Sequence, residues 1–282
     1  MEILDGKKTS AQVREELRRE VEQIVSAGHR PPHLVAILVG DNGASITYVN
    51  AKVKACQEIG FRSSLIKYPA EVSQGELLDK IDELNNDPTV DGFIVQLPLP
   101  AHIDEKLVTE RIRPEKDVDG FHPVNMGRLA MGQGVLLPAT PAGIIELLRR
   151  YDIATSGKRA VVVGRSNIVG KPMAMLLTQA DGTVTVCHSR TPDLAAVTLE
   201  ADILVSAVGR VGLVTADMVK AGAVVIDVAM NRNAEGKLCG DVDYAAVAEK
   251  ASYITPVPGG VGPMTRAMLM ANILTAARNH GA

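Results

Sequence analysis

Residues 161–172 read VVVGRSNIVGKP, an apolar run that breaks into a glycine turn and then into the start of a helix. A parallel sheet presents a phosphate to a helix N-terminus in this way, because unpaired N–H groups and the helix dipole there favour negative charge. The spacing is not that of the usual dinucleotide fingerprint. Gly164 and Gly170 stand six apart, with Arg165 and Ser166 where a second glycine is expected. The turn points to a nucleotide held by a non-standard loop.

Outward from this turn the chain alternates between strand and helix patterns. On the N-terminal side, helical spacing runs over 10–27, a buried apolar run HLVAILV over 33–39, and a helix pattern over 45–59. A strand over 61–68, a helix over 73–85 opened by a Ser73/Glu76 capping box, and a strand over 90–97 follow. Residues 111–138 are rich in Gly and Pro and hold no sustained period, which reads as a connection between domains. A helix is expected over 141–151 with Pro141 at its first position, then strands near 160–164, 183–188, 202–207, 223–228 and 252–255, and a last helix from Met264 to about Asn279. The rhythm predicts an α/β protein of two domains, with a doubly wound, mostly parallel sheet.

Composition narrows the partner. The 282 residues suit two domains, and a formal net charge of -3 shows no basic excess for nucleic acid. A small molecule is the better default. Cys56, Cys187 and Cys239 are odd in number and far apart, which fits reduced thiols and a cytoplasmic setting. No CxxC or His/Cys cluster suggests a metal. The first residues mix acidic and basic groups without an apolar core, so no signal peptide is expected, and no apolar run reaches membrane-spanning length.

In a doubly wound sheet the residue ending the second strand normally reads the adenosine ribose. Here TVTVCH runs into Ser189, Arg190 and Thr191 rather than into Asp or Glu. A hydroxyl donor with two guanidinium groups, Arg165 and Arg190, suits a 2′-phosphate, so NADP is expected over NAD. Taken singly, each arginine also reads as a solvated surface residue.

On a helical wheel for 45–59 that starts at Tyr48 and advances about 100° per residue, Ile59 falls near ~20°, Cys56 near ~80°, Val49 near ~100° and Val53 near ~140°. Lys52 falls near ~40°, inside this apolar arc, while Lys54, Gln57 and Glu58 lie opposite. Such a lysine either snorkels to water or occupies a partly desolvated pocket that brings its pKa toward the range useful for acid-base work. Gln96, at a strand end before Pro98-Leu99-Pro100, is placed where α/β ligands gather. Asp119, in the segment KDVDGFHP, offers a carboxylate for the paired N–H donors of a heterocycle.

Five segments in order give the chain a resemblance over nearly its whole length: YVNAKVKACQEIG at 48–60, DGFIVQLPLP at 91–100, KDVDGFHP at 116–123, VVVGRSNIVGKPMAMLL at 161–177 and PVPGGVGPMT at 256–265. It resembles the bifunctional methylenetetrahydrofolate dehydrogenase/methenyltetrahydrofolate cyclohydrolase (FolD) family. The resemblance implies an N-terminal α/β catalytic domain over 1–120, with the segment 264–282 packed back on it. An NADP-binding Rossmann-like domain follows over 121–263, with the connection at its start and a cleft between the domains. It implies oxidation of 5,10-methylenetetrahydrofolate with NADP, then hydrolysis to 10-formyltetrahydrofolate, a one-carbon donor for purine biosynthesis. It also implies a homodimer.

Residue by residue, the resemblance makes Lys52 the central acid-base group, Gln96 its tuning partner, Tyr48 the neighbour of the aminobenzoyl part and Asp119 the holder of the pterin. Contacts to NADP are implied for Gly164, Arg165, Ser166, Ser189 and the backbone of Met230, and Pro258, Gly259 and Gly260 would border the folate. Three positions depart from the family's habit: Ala139 stands for a usual cysteine, Ala229 for a usual glycine, and Met230 for a branched residue or threonine. A Cβ at Ala229 raises the question of how closely that turn approaches the nicotinamide. A dehydrogenase without the hydrolase, of the shikimate or amino-acid type, is the enzymatic rival, but it does not account for YVNAK together with Gln96 and PGGVGP. A non-catalytic NADP-binding sensor is the other.

Overall fold

The computed structural model describes residues 1–133 and 136–281. Gly134 and Val135 of the expected connection, and Ala282 at the end of the expected last segment, lie outside the described residues. The chain forms two compact units, one of Met1–Ala11 with Thr140–Thr265, the other of Gln12–Ala139 with Arg266–Ala282. In this part of the chain the division falls at 139/140, and residues 116–118 join the sheet of the second of these units. Phe93 N donates to Lys116 O at 3.1 Å, and Phe93 pairs in parallel with Asp117.

In the unit built on residues 12–139, three parallel strands lie in the order Arg62–Tyr68, His33–Val39, Gly92–Val95. The central strand is buried along its whole length, as an uninterrupted apolar run requires when both faces are covered. Val35, Ile37, Phe93 and Val95 pack with Leu77 and Ile81 of the helix Gln74–Asn86 and with Val108 of the helix Glu105–Arg111. Ser73 caps the first of these helices by accepting the Glu76 N–H at 3.2 Å. At the other end of that helix, the buried Lys116 ammonium donates to the carbonyls of Leu84 and Asp87, both at 2.7 Å.

The stretch 111–138, expected to lack regular structure, contains the helix Pro123–Ala130. His122 Nδ1 accepts the Val124 N–H at 3.1 Å, and Pro123 occupies the first helical position, where no N–H is needed. Eight residues are too few to establish a period, so only the cap marked it.

The unit built on residues 140–265 carries a six-stranded, wholly parallel sheet in the order Glu2–Ile3, Tyr253–Ile254, Val224–Asp227, Ile203–Ser206, Arg159–Val163, Thr183–Cys187. Arg159–Val163 is flanked by the two strands that follow it in the chain, so the winding reverses beside it. In such sheets a ligand binds beyond the carboxyl end of the strand at this reversal. Val161, Val163, Leu204, Val225 and Ile254 form the core with Val214, Val219 and Val247. The strand Glu2–Ile3 is too short to leave a sequence pattern and is held by Glu2 N to Ser252 O at 2.7 Å and Leu4 N to Ile254 O at 2.9 Å. The helix Ala139–Arg150 starts two residues earlier than expected, so Pro141 is its third residue rather than its first. Proline is tolerated there because the first helical N–H groups have no partner within the helix.

Candidate active site

Within the helix Gly43–Glu58 and the residue that follows it, Val49, Ala55, Cys56 and Ile59 are buried, while Lys54, Gln57 and Glu58 face water. The Lys52 side chain is only 17% exposed, so it occupies a pocket rather than extending into solvent. Its Nζ lies 3.4 Å from Gln96 Oε1 and 3.8 Å from Asp119 Oδ1. Tyr48, one turn earlier on the helix, is exposed. These four sequence-predicted residues belong to one unit, and the structure brings Lys52, Gln96 and Asp119 together.

Sheet register explains the meeting. Ile37 pairs with Val95, and Gln96 N donates to Ile37 O at 2.9 Å, which sets Gln96 at the carboxyl end of the sheet. Its Nε2 donates to Leu97 O at 2.8 Å, so the amide turns its oxygen to Lys52. Because Asp117 runs beside Phe93 in parallel, Asp119 two residues on comes to the level of Val95, next to Gln96. A Cβ on Gly92 would stand 2.1 Å from Val118 Cγ1, so glycine is needed for this close pairing.

Asp117 is a site residue that the sequence reading missed. Its buried carboxylate accepts from Gly120 N at 3.2 Å, His122 N at 2.8 Å and Asn125 Nδ2 at 2.9 Å, tying down the loop that carries Asp119. Burial pushes its carboxyl above the usual range, against the pull of these donors. Two aspartates in KDVDG are alike in sequence, and only the fold decides that one is buried and the other offered. Cys56, buried on the Lys52 helix, is pushed up to about 12 by burial and stays a thiol at neutral pH.

The cofactor-type turn is built by close backbone approach in the other unit. Gly164 has φ +125°, and a Cβ there would stand 2.5 Å from Ala207 O; one on Gly170 would stand 2.2 Å from Gly164 O. The six-residue spacing thus places two glycines against each other across one turn. Ser166 fills the place of the missing middle glycine, its Oγ accepting from Val169 N at 3.1 Å and Gly170 N at 3.3 Å. The N–H groups of residues 165–168 take no acceptor among the described residues, just ahead of the ten-residue helix Gly170–Gln179. Arg165, Ser189 and Arg190 are exposed, and neither guanidinium has a partner among the described residues. Free N–H donors, a helix start and two uncommitted guanidiniums form a set that fits a phosphorylated dinucleotide.

Ala229 is buried, outside the left-handed region, and donates its N–H to Asp227 Oδ1 at 3.3 Å, so alanine occupies this turn without backbone strain. Met230 is 46% exposed. In the same unit Pro258, Gly259 and Gly260 form a turn in which Gly260 N donates to Pro256 O at 2.8 Å and Lys7 N to Gly259 O at 3.0 Å. A Cβ on Gly6 would lie 1.7 Å from Gly260 O, so the first helix, Gly6–Ser26, begins directly against this turn.

Two family descriptions cover most of the chain. Residues 4–119 match the tetrahydrofolate dehydrogenase/cyclohydrolase catalytic domain, and residues 138–281 match the NAD(P)-binding domain of the same family. The bifunctional protein FolD of Bacteroides thetaiotaomicron is 57% identical over 288 residues, covering 99% of this chain and 98% of its own. The crystal structure of the bifunctional FolD dehydrogenase/cyclohydrolase from Campylobacter jejuni superposes with a TM-score of 0.97 at 50% identity, over 99% of each chain. The Trypanosoma brucei FolD structure, complexed with NADP cofactor and an inhibitor, gives 0.93 at 41% identity, over 99% of this chain and 98% of that one. With both domains matched in order and relatives aligned end to end, the chain belongs to the tetrahydrofolate dehydrogenase/cyclohydrolase family and is a bifunctional enzyme of one-carbon metabolism that oxidises methylenetetrahydrofolate and hydrolyses the methenyl product.

Proposed function

We propose that Lys52, held by Gln96 and Asp119, manages the protons of the hydrolysis in the unit built on residues 12–139, and that the unit built on residues 140–265 takes NADP in preference to NAD. The observation that carries this reading is the Lys52 ammonium, 3.4 Å from the Gln96 oxygen and 3.8 Å from the Asp119 carboxylate at the carboxyl end of the sheet. When bound, NADP would supply the acceptor for the hydride of the methylene carbon. Gly164, Arg165, Ser166, Ser189, Arg190 and the Met230 backbone are the residues to hold it, with the two guanidiniums on the 2′-phosphate.

In the hydrolysis, water adds to the methenyl carbon and loses a proton to leave a carbinol. The carbon–N5 bond then breaks as N5 gains a proton and the carbinol hydroxyl gives up its own to solvent, so one proton is released overall. This leaves the formyl group on N10. Acting as the neutral amine, Lys52 Nζ takes the first proton from the water and supplies it to N5, so the group ends as it began. Gln96 Oε1 accepts a bond from Nζ and keeps it pointed at the reacting carbon. The Asp119 carboxylate accepts the paired N–H donors of the pterin, and Tyr48 lies against the aminobenzoyl ring.

A two-step assay tests substrate, cofactor and bifunctionality together. With methylenetetrahydrofolate, reduced nicotinamide is expected to appear with a higher specificity constant for NADP than for NAD, followed by decay of the methenyl absorbance. A higher constant for NAD removes the 2′-phosphate assignment, and a stable methenyl product removes the second activity.

The same reading includes a homodimer through the unit built on residues 140–265. Thr183–Cys187 is the outer strand of its sheet, and Thr183, Thr185 and Val186 on it are exposed, a free edge for pairing with a second copy. Sedimentation equilibrium is expected to give twice the chain mass, and a monomer at micromolar concentration rules this out. Unpaired Cys56, Cys187 and Cys239 support a cytoplasmic location, in which 10-formyltetrahydrofolate feeds purine biosynthesis. Recovery of the activity outside the soluble cytoplasmic fraction would count against that placement.

A further inference from the structure

Asp241 has no exposed surface, yet its carboxylate is met by five donors. Oδ2 accepts from Ser206 Oγ at 3.0 Å, Val208 N at 2.9 Å and Gly209 N at 3.3 Å, while Oδ1 accepts from Arg210 N at 2.6 Å and Asn231 Nδ2 at 3.0 Å. Removing a carboxylate from water is costly unless its lone pairs are filled, and five bonds fill them. Those donors come from two loops, the one that leaves the strand Ile203–Ser206 and the one that carries Ala229, Met230 and Asn231.

Both loops lie at the carboxyl end of the sheet. Ala207 N donates to Val163 O at 2.8 Å, and the Ala207 carbonyl is the atom that a Cβ on Gly164 would strike at 2.5 Å. The loop held by Asp241 is therefore one wall of the Gly164 turn. It presents Val208 and Val211 to the outside, 44% and 50% exposed. Asp241 is itself locked from behind, since its N–H donates to Asp227 Oδ1 at 3.0 Å and Val242 N donates to Asp227 Oδ2 at 2.9 Å. A Cβ on Gly240 would stand 1.9 Å from that same Asp227 oxygen.

We infer that Asp241 is a positioning residue for the dinucleotide: it holds the 206–210 loop and Asn231 as a preformed wall, so that the cofactor meets a loop already ordered. This rests on the reading of the Gly164 turn as the NADP site. Preformed loops bind more tightly because their ordering is not charged against the ligand. Asn at 241 keeps the shape but replaces one acceptor oxygen with a donor that faces other donors, which frees one side of the clamp.

Calorimetric titration with NADP and hydrolysis of methenyltetrahydrofolate without NADP form the test. Asp241→Asn is expected to raise the NADP Kd at least tenfold, while hydrolysis without NADP and the KM for methylenetetrahydrofolate stay within twofold of the parent protein. Asn231→Ala, which removes one donor of five, is expected to raise the Kd about two- to fivefold with hydrolysis unchanged. An unchanged Kd in both variants, or a parallel fall of hydrolysis and NADP binding in Asn231→Ala, overturns the assignment. If the parent protein itself fails to bind NADP, the reading of the turn fails instead, which separates the two.

Discussion

Replacing Lys52 with methionine is expected to slow hydrolysis of methenyltetrahydrofolate by about a hundredfold to ten-thousandfold, the span usual for loss of a positioned acid-base group. Methionine keeps an unbranched apolar stem of similar length, so the packing against the buried face of Val49 and Cys56 is retained and only the titrating nitrogen is lost. The 17% exposure of the Lys52 side chain makes replacement by a bulk-water proton path inefficient. Loss of the ammonium also leaves the Gln96 oxygen and the Asp119 carboxylate without their shared cation. The check is the decay of methenyl absorbance at saturating substrate, with NADP binding measured beside it to show that the protein is folded. Full-rate conversion by the mutant would remove Lys52 from the mechanism.

Gly170→Ala is expected to abolish NADP binding in the concentration range where the parent protein saturates. A Cβ at this position would lie 2.2 Å from Gly164 O, 2.5 Å from Gly164 C and 2.8 Å from the Arg165 Cα. All three are backbone atoms of the turn itself, so relief requires opening the turn rather than rotating a side chain. Overpacking of this kind costs about 1–3 kcal/mol of stability. Its effect on binding is larger, because the free N–H groups of residues 165–168 are aimed by the same turn. Dehydrogenase activity should fall with NADP affinity, whereas hydrolysis of supplied methenyltetrahydrofolate, which uses Lys52 in the other unit, should be kept. Wild-type affinity for NADP in this variant would show that the turn does not hold the cofactor.

Much of this architecture was legible in the residues. The run HLVAILV became the buried central strand His33–Val39 at its expected bounds, and the five later strands fell where apolar runs alternate with helix patterns. The helical wheel separated Lys54, Gln57 and Glu58 from the buried face and left Lys52 among apolar neighbours, because a 3.6-residue period fixes which side chains share a side before any tertiary contact is known. Family motifs over five segments named the chemistry. Short or non-local features were not legible: Glu2–Ile3 joins the sheet through Tyr253–Ile254, some 250 positions away, and two residues carry no period.

The sequence by itself determined the alternation of elements, the phosphate-binding turn and the identity of Lys52, Gln96 and Asp119 as candidates, since each depends on local pattern. Only the tertiary structure decided which of the paired aspartates in KDVDG is buried. It also decided why the turn's glycines stand six apart, and that Asp241, unremarkable in GDVD, gathers donors from two loops. Each of those outcomes depends on how closely distant backbone segments approach, through the pairing of Phe93 with Asp117, of Gly164 with Ala207, and of Asp241 with Asn231. Spacing along a chain carries no measure of that distance until the sheet has set its register.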